Sequence, residues 1–290
     1  MHKRVSTTVR AALVGVLVGG AFTSAATALD QHGESPSPAL KAAIADNPHR
    51  KDGDSDRDQY RHPLETLAFF GIDSDDTVAE VNPGGGWYSR ILAPLLKEDG
   101  QYIGLEHNPE LYKDWDRYYK SLKAYPDKVA AEKGAMYGEN AVATFIPADE
   151  GLPVAAGSVD VVTVVRAMHN WLRRDFMDQG LEQVHGILKD GGTLGVVQHR
   201  APKDFEGDPI VWARKGRWNQ DMLVARIEAA GFELVESSEI NANPKDEKNY
   251  PSGVWTLPPT LALGDENRDS YLAVGESDRM TLKFRKVAQD

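Results

Sequence analysis

The stretch Thr77–Leu96, TVAEVNPGGGWYSRILAPLL, constrains this chain more than any other. A short β-branched run (Thr77, Val78, Val81) enters a turn made of Asn82, Pro83, Gly84, Gly85 and Gly86. A helical pattern follows at once, with Tyr88, Ile91, Leu92 and Leu95 on one face. Strand, glycine turn and helix in this order form a cradle for a nucleotide-type ligand at the carboxyl end of a central strand. Glycine accepts positive φ and lets a ligand approach bare backbone. The same turn also serves as an ordinary tight connection, so the downstream pattern has to decide between the two.

That pattern alternates. Strands are expected at Gln101–Glu106, Val142–Ile146, Val159–Val165, Thr193–Gln198 and Phe232–Glu236. The run VDVVTVV has the near-continuous branching of a strand buried on both faces. Between the strands, helices are expected with Leu111, Trp115 and Tyr118 on one face, then with Met177, Leu181, Val184 and Leu188, then over Gln220–Ala230. Lys189-Asp190-Gly191-Gly192 should end the second of these. Such alternation predicts βαβ units and an α/β fold, doubly wound around a mostly parallel sheet. Met280–Arg285 alternates at period two, as an antiparallel last strand would. Residues 241–279 read as a loop-rich insertion, either a lid with Trp255 and Tyr250 as apolar walls or a segment stapled to the sheet edge.

The beginning of the chain reads differently. His2, Lys3, Arg4 and Arg10 precede the apolar run Ala11–Phe22, and Ala26-Thr27-Ala28 gives a small-x-small cleavage pattern. Residues 1–28 are therefore expected to be a signal peptide, 29–60 an arm with a short helix at Pro38–Ala45, and 61–290 the main domain. A periplasmic or secreted protein follows, with no stable membrane insertion once the signal is removed. The absence of cysteine excludes disulfides and thiolate metal sites. The net charge is −11, which speaks against nucleic acid as a partner. Arg214, Lys215 and Arg217 form the one dense basic cluster, expected as a solvated helix face. No metal site is expected.

Acids stand at successive strand ends: Glu80 before the glycine turn, Glu106 after the second strand, and Asp149 after the third. With that turn they make the sequence resemble the class I S-adenosylmethionine-dependent methyltransferases, whose motifs match in order through LKDGGTLGVV. PGGGWYS, RAMHNW, GVVQHRA, SSEINANPKD, GVWTLPPT and GESDRMTLKF together are similar to an exported branch of that superfamily. The resemblance implies a Rossmann-like seven-stranded sheet and S-adenosylmethionine as cofactor, held by Glu80, Asn82, Gly84, Gly85, Gly86, Glu106 and Asp149. Asn82 stands where the family's first loop glycine is expected. Trp87 and Tyr88 would either cover the methionine end of the cofactor or obstruct it.

The implied reaction is methyl transfer to a small-molecule acceptor. His169, Asn170 and Arg166 are the catalytic candidates: His169 to take a proton, Asn170 to orient the acceptor, Arg166 to hold an anionic group. In the competing account His169 and Asn170 cap the next helix and Trp171 packs the core. His199 and Arg200 form a second polar pair on the same rim. Two other functions compete, a non-catalytic exported binding module and a nicotinamide-dependent oxidoreductase. The second rests on Gly84-x-Gly86-x-x-Ser89 with Glu106 downstream, and Ser89 there occupies the place of the third glycine.

Overall fold

The computed structural model describes residues 35–288. Seven strands form one sheet: β1 Thr77–Val81, β2 Gln101–His107, β3 Val142–Ile146, β4 Val159–Val165, β5 Leu188–His199, β6 Phe232–Ser238 and β7 Arg279–Lys286. Their order is β3-β2-β1-β4-β5-β7-β6. The first five run parallel, while β7 is antiparallel to both neighbours. The doubly wound α/β sheet and its antiparallel last strand are thus as the sequence predicts.

Strand alternation divides the core into two layers. Val78, Tyr102 and Val161 face one side with Ile91, Leu92 and Leu96 of the helix Ser89–Leu96. Ala79, Leu105, Val162 and Val164 face the other, with Trp171, Leu181 and Val184. The helix Pro38–Ala45 starts at Ser37, whose Oγ accepts the Leu40 amide at 3.2 Å. It sends Leu40, fully buried, into the first layer.

Three local expectations are corrected. The expected helix through Leu111, Trp115 and Tyr118 breaks into a 3₁₀ turn, Pro109–Tyr112, and a helix, Asp116–Lys123, leaving Trp115 58% exposed between them. Leu188 does not close its helix: it takes an extended conformation and opens β5, so Gly191, with φ 74°, lies inside an irregular strand start rather than at a helix end. Arg217 belongs to no solvated face. It is fully buried and donates to both carboxylate oxygens of Asp246 at 2.8 and 2.9 Å.

The 241–279 segment contains a 3₁₀ turn, Gly253–Thr256, and a helix, Arg268–Val274. It is fixed from several directions. Asp246 also accepts the Asp278 amide, Asn241 Nδ2 donates to Thr66 and Thr281, and the Val254 amide donates to Lys215 O at 3.0 Å. A Cβ at Gly253 would stand 2.4 Å from that same carbonyl oxygen, so the two backbones meet only because this residue is glycine.

Candidate functional site

The glycine turn has the backbone its composition demands. Asn82, Gly84 and Gly86 take φ of 53°, 55° and 71°. Asn tolerates the left-handed region better than most residues, so Asn82 serves where the resemblance leads one to expect glycine. Its side chain adds a brace, since Asn82 Oδ1 accepts from the buried Trp171 Nε1 at 3.0 Å. A Cβ built on Gly85 meets nothing within 4 Å, so the loop crest is open.

Parallel pairing of β1 with β2 sets Glu106 beside this turn. Glu106 Oε2 accepts the Gly84 amide at 2.9 Å and Oε1 accepts the His107 amide at 2.9 Å. Burial raises its pKa, opposed by those two backbone donors. Each oxygen keeps a further lone pair.

Asn82, Gly84, Gly85 and Glu106 line one cavity of about 610 Å³. Its β2 end carries Tyr112, Trp115 and Tyr118, with ring centroids 4.9 Å apart between Tyr112 and Tyr118 and 5.0 Å apart between Trp115 and Tyr118. Its β4–β5 end carries Arg166, His169, Asn170, Arg173, His199 and Trp255.

Other candidates lie elsewhere. Glu80 is buried under the turn, where its Oε2 accepts from Ser89 Oγ and Tyr102 OH, both at 2.7 Å. Burial pushes its pKa up to about 7. Gly86 makes the turn without lining the cavity. Asp149 is exposed and accepts from Asn108 Nδ2 at 2.7 Å. Trp87 neither covers nor obstructs the cavity: its Nε1 donates to Asp54 O at 3.1 Å, and Arg61 lies over its ring at 4.7 Å. Arg200 turns away to Glu239 and Asp278. Tyr250 packs edge-on against Tyr271, leaving Trp255 as the contribution of its segment to the wall.

At the β4 end the chain turns through Arg166, whose φ is 58°. His169 and Asn170 lie within the helix Met168–Arg173 rather than capping it, and Trp171 is fully buried beneath. Burial first, and Arg173 second, hold the His169 pKa down at about 3. Burial and Arg279 lower His199, whose Nδ1 lies 2.6 Å from Ser277 Oγ. Both imidazoles are therefore neutral near pH 7.

The tautomer of His169 follows from its neighbour. Gln198 Nε2 donates to Gly216 O at 2.9 Å, and this carbonyl fixes which end of the amide is the NH₂. The second N–H of that NH₂ faces His169 Nδ1 at 3.4 Å, so Nδ1 accepts and Nε2 carries the hydrogen. In that tautomer the ring N–H of His169 is on Nε2.

His107 and the aromatic trio escape sequence reasoning. His107 is buried, with its pKa lowered to about 3 by desolvation. The signal for the trio was the density of Tyr and Trp just after Asn108-Pro109.

No family model matches the chain. An arsenite methyltransferase of Halobacterium salinarum is 27% identical over 231 residues, covering 77% of this chain. The chain spans about half that relative's length, 50% of it. Among solved structures, the [4+2]-cyclase SpnF superposes with a TM-score of 0.51 at 16% identity, over 78% of this chain and 79% of its own. A methyltransferase from Aquifex aeolicus gives 0.49 at 15% identity, over 87% and 100%. The chain has the seven-stranded methyltransferase-type α/β fold. That fold accommodates more than one chemistry, so function has to be argued from the cavity.

Proposed function

We propose that the chain is an S-adenosylmethionine-dependent methyltransferase acting on a small molecule outside the cytoplasm. One observation carries this reading: the open glycine turn and the Glu106 carboxylate, on adjacent parallel strands, line a single cavity.

The residues present fit the cofactor. Glu106 has lone pairs free for the two hydroxyls of a ribose, Tyr112, Trp115 and Tyr118 give a flat purine a surface to stack on, and the crest at Gly85 admits close approach. When bound, S-adenosylmethionine supplies a methyl group activated on a sulfonium. The protein then works by alignment and water exclusion, because the positive charge on sulfur is spread toward the acceptor in the transition state. Trp255 walls the far end, and His169 offers an N–H to orient an acceptor. Neither histidine at that end is protonated near neutral pH, and neither is poised as a strong base. An acceptor that already presents its lone pair suits such a site.

The substrate of the Halobacterium relative is not carried over. Soft arsenic(III) is held by thiolates, and these 290 residues contain no cysteine. The extracytoplasmic location rests on the sequence alone: the basic start, the apolar Ala11–Phe22 and the Ala26-Thr27-Ala28 site. Those residues lie outside the described ones. Among the described residues no helix is long and apolar enough to cross a membrane.

Calorimetry with S-adenosylhomocysteine tests the reading, and micromolar binding is expected. Absence of binding by both this compound and S-adenosylmethionine would return the chain to the binding-module alternative.

A further inference from the structure

Arg166 is the cation of this cavity with the least to hold it. Among the described residues its guanidinium makes no hydrogen bond and no ion pair, and its Nε is buried without a partner. The acid acting on it, Glu276, is already shared by Arg57 at 2.7 Å, Arg61 at 3.2 Å and Arg279 at 3.1 Å. Arg166 therefore faces the cavity from a region where guanidinium groups outnumber carboxylates. Arg173, on the same wall, has one weak hydrogen bond, to Asn170 Oδ1 at 3.4 Å, and its guanidinium lies over the Trp255 ring at 5.9 Å. The cavity lining contains Arg166, Arg173 and Arg174 against a single acid, Glu106, which belongs to its other end. Arg174 is paired with Asp114 at 3.2 Å and lies over Tyr112, which leaves Arg166 and Arg173 as the cations of the β4–β5 end.

We propose that the β4–β5 end of the cavity is an oxyanion seat centred on Arg166, and that it is taken by the acceptor, which therefore carries a carboxylate or phosphate group. This rests on the methyltransferase reading for the word acceptor, though not for the seat. An unpaired guanidinium in a low-dielectric wall draws an anion strongly. The net charge of −11 does not itself favour anions, so the local arrangement of residues has to supply the attraction. A neutral His169 adds a donor without adding charge. Arg166 also holds the left-handed φ of 58°, a strained placement for a long side chain and one found at ligand-binding positions.

A cofactor carboxylate is the other source of such an anion. The sheet order argues against it. β1 lies between β2 and β4, so a donor cradled by the β1 turn and Glu106 occupies the β1–β2 side. The β4–β5 side is then left for the second reactant.

The probe is inorganic phosphate, followed by phosphorus NMR line broadening at low ionic strength, with and without saturating S-adenosylhomocysteine. Wild type should bind phosphate in both conditions. Arg166→Gly, which suits the backbone φ, should weaken it at least tenfold and leave S-adenosylhomocysteine affinity within twofold. Arg166→Lys should keep part of the binding, and unchanged thermal midpoints certify that both variants fold. Equal phosphate binding by wild type and Arg166→Gly overturns the proposal. So does competition between phosphate and S-adenosylhomocysteine, which would assign the seat to the cofactor's own carboxylate. Phosphate binding without any S-adenosylhomocysteine binding sinks the methyltransferase reading and supports the seat.

Discussion

The Gly84 amide donates to Glu106 Oε2 across the β1–β2 junction, 22 residues apart in the chain and 2.9 Å apart in space. That bond ties the loop that admits a ligand to the carboxylate that would grip it. Glu106→Gln keeps the size and can keep an oxygen toward Gly84, while losing the charge and one acceptor. Hydrogen bonds to a charged group are worth about 1.5–3 kcal/mol, so S-adenosylhomocysteine should bind some ten- to hundredfold more weakly. Calorimetry on the folded variant reads this directly, and affinity within twofold of wild type would move the ribose site elsewhere.

Asn82 performs two tasks, and substitution separates them. Asn82→Gly keeps the left-handed backbone, φ 53°, and loses the brace to Trp171 Nε1. Asn82→Val loses the brace and adds strain of about 1–2 kcal/mol for a residue that resists positive φ. The valine variant should melt below the glycine variant, and both below wild type. Differential scanning calorimetry giving the reverse order would show that the turn does not need this conformation.

Buried titratable groups set opposing pH slopes. Glu80 moves from an ordinary 4.5 to about 7 on burial, so the native state keeps a proton that the unfolded chain releases across that window. Its contribution to stability therefore declines as pH rises from 4.5 to 7. The histidines act in the other sense. His107 and His169 fall from 6.5 to about 3, so the unfolded chain takes up protons first and stability drops as pH falls below 6.5. Glu80→Gln can still accept from Ser89 and Tyr102 through its amide oxygen. It should gain about 1–3 kcal/mol at pH 8 and little at pH 5 by denaturant unfolding. An equal effect at both values would mean that Glu80 does not titrate in this range.

Some of this site was legible in the sequence, for local reasons. VDVVTVV reports a strand covered on both faces because branched residues pack there, and Gly84-Gly85-Gly86 reports a turn because the backbone needs positive φ. Glu106 was legible from its place at a strand end. What escaped depended on distant partners. Trp115 looked like part of one helical face until the chain broke into a 3₁₀ turn before it. Arg217 looked solvated because its partner, Asp246, lies 29 residues on, inside a loop without any periodic signal. Glu80 and Asp149 stood at the right strand ends, but the pleat turns Glu80 under the loop toward Tyr102, and Asn108 ties Asp149 down. The donor tautomer of His169 depends on Gly216 O, whose approach no motif encodes.

The Arg217–Asp246 pair gives the sharpest test of how the far wall is held. Both side chains are fully buried, and Asp246 also accepts the Asp278 amide at 2.7 Å, so one carboxylate joins the 241–279 segment to the entry of β7. Arg217→Met strands that charge away from water. Breaking one half of a buried pair typically costs about 3–5 kcal/mol, more than the pair itself contributes. Urea unfolding should show a loss of that size for Arg217→Met and a smaller one for the double variant Arg217→Met/Asp246→Leu, in which no charge is orphaned. Trp255 sits on the same segment, and Val254 is pinned to Lys215 O two residues before Arg217. Its indole fluorescence should therefore become more accessible to acrylamide in the single variant. A double variant no more stable than Arg217→Met would show that the segment relies on the Asp278 amide bond rather than on charge pairing.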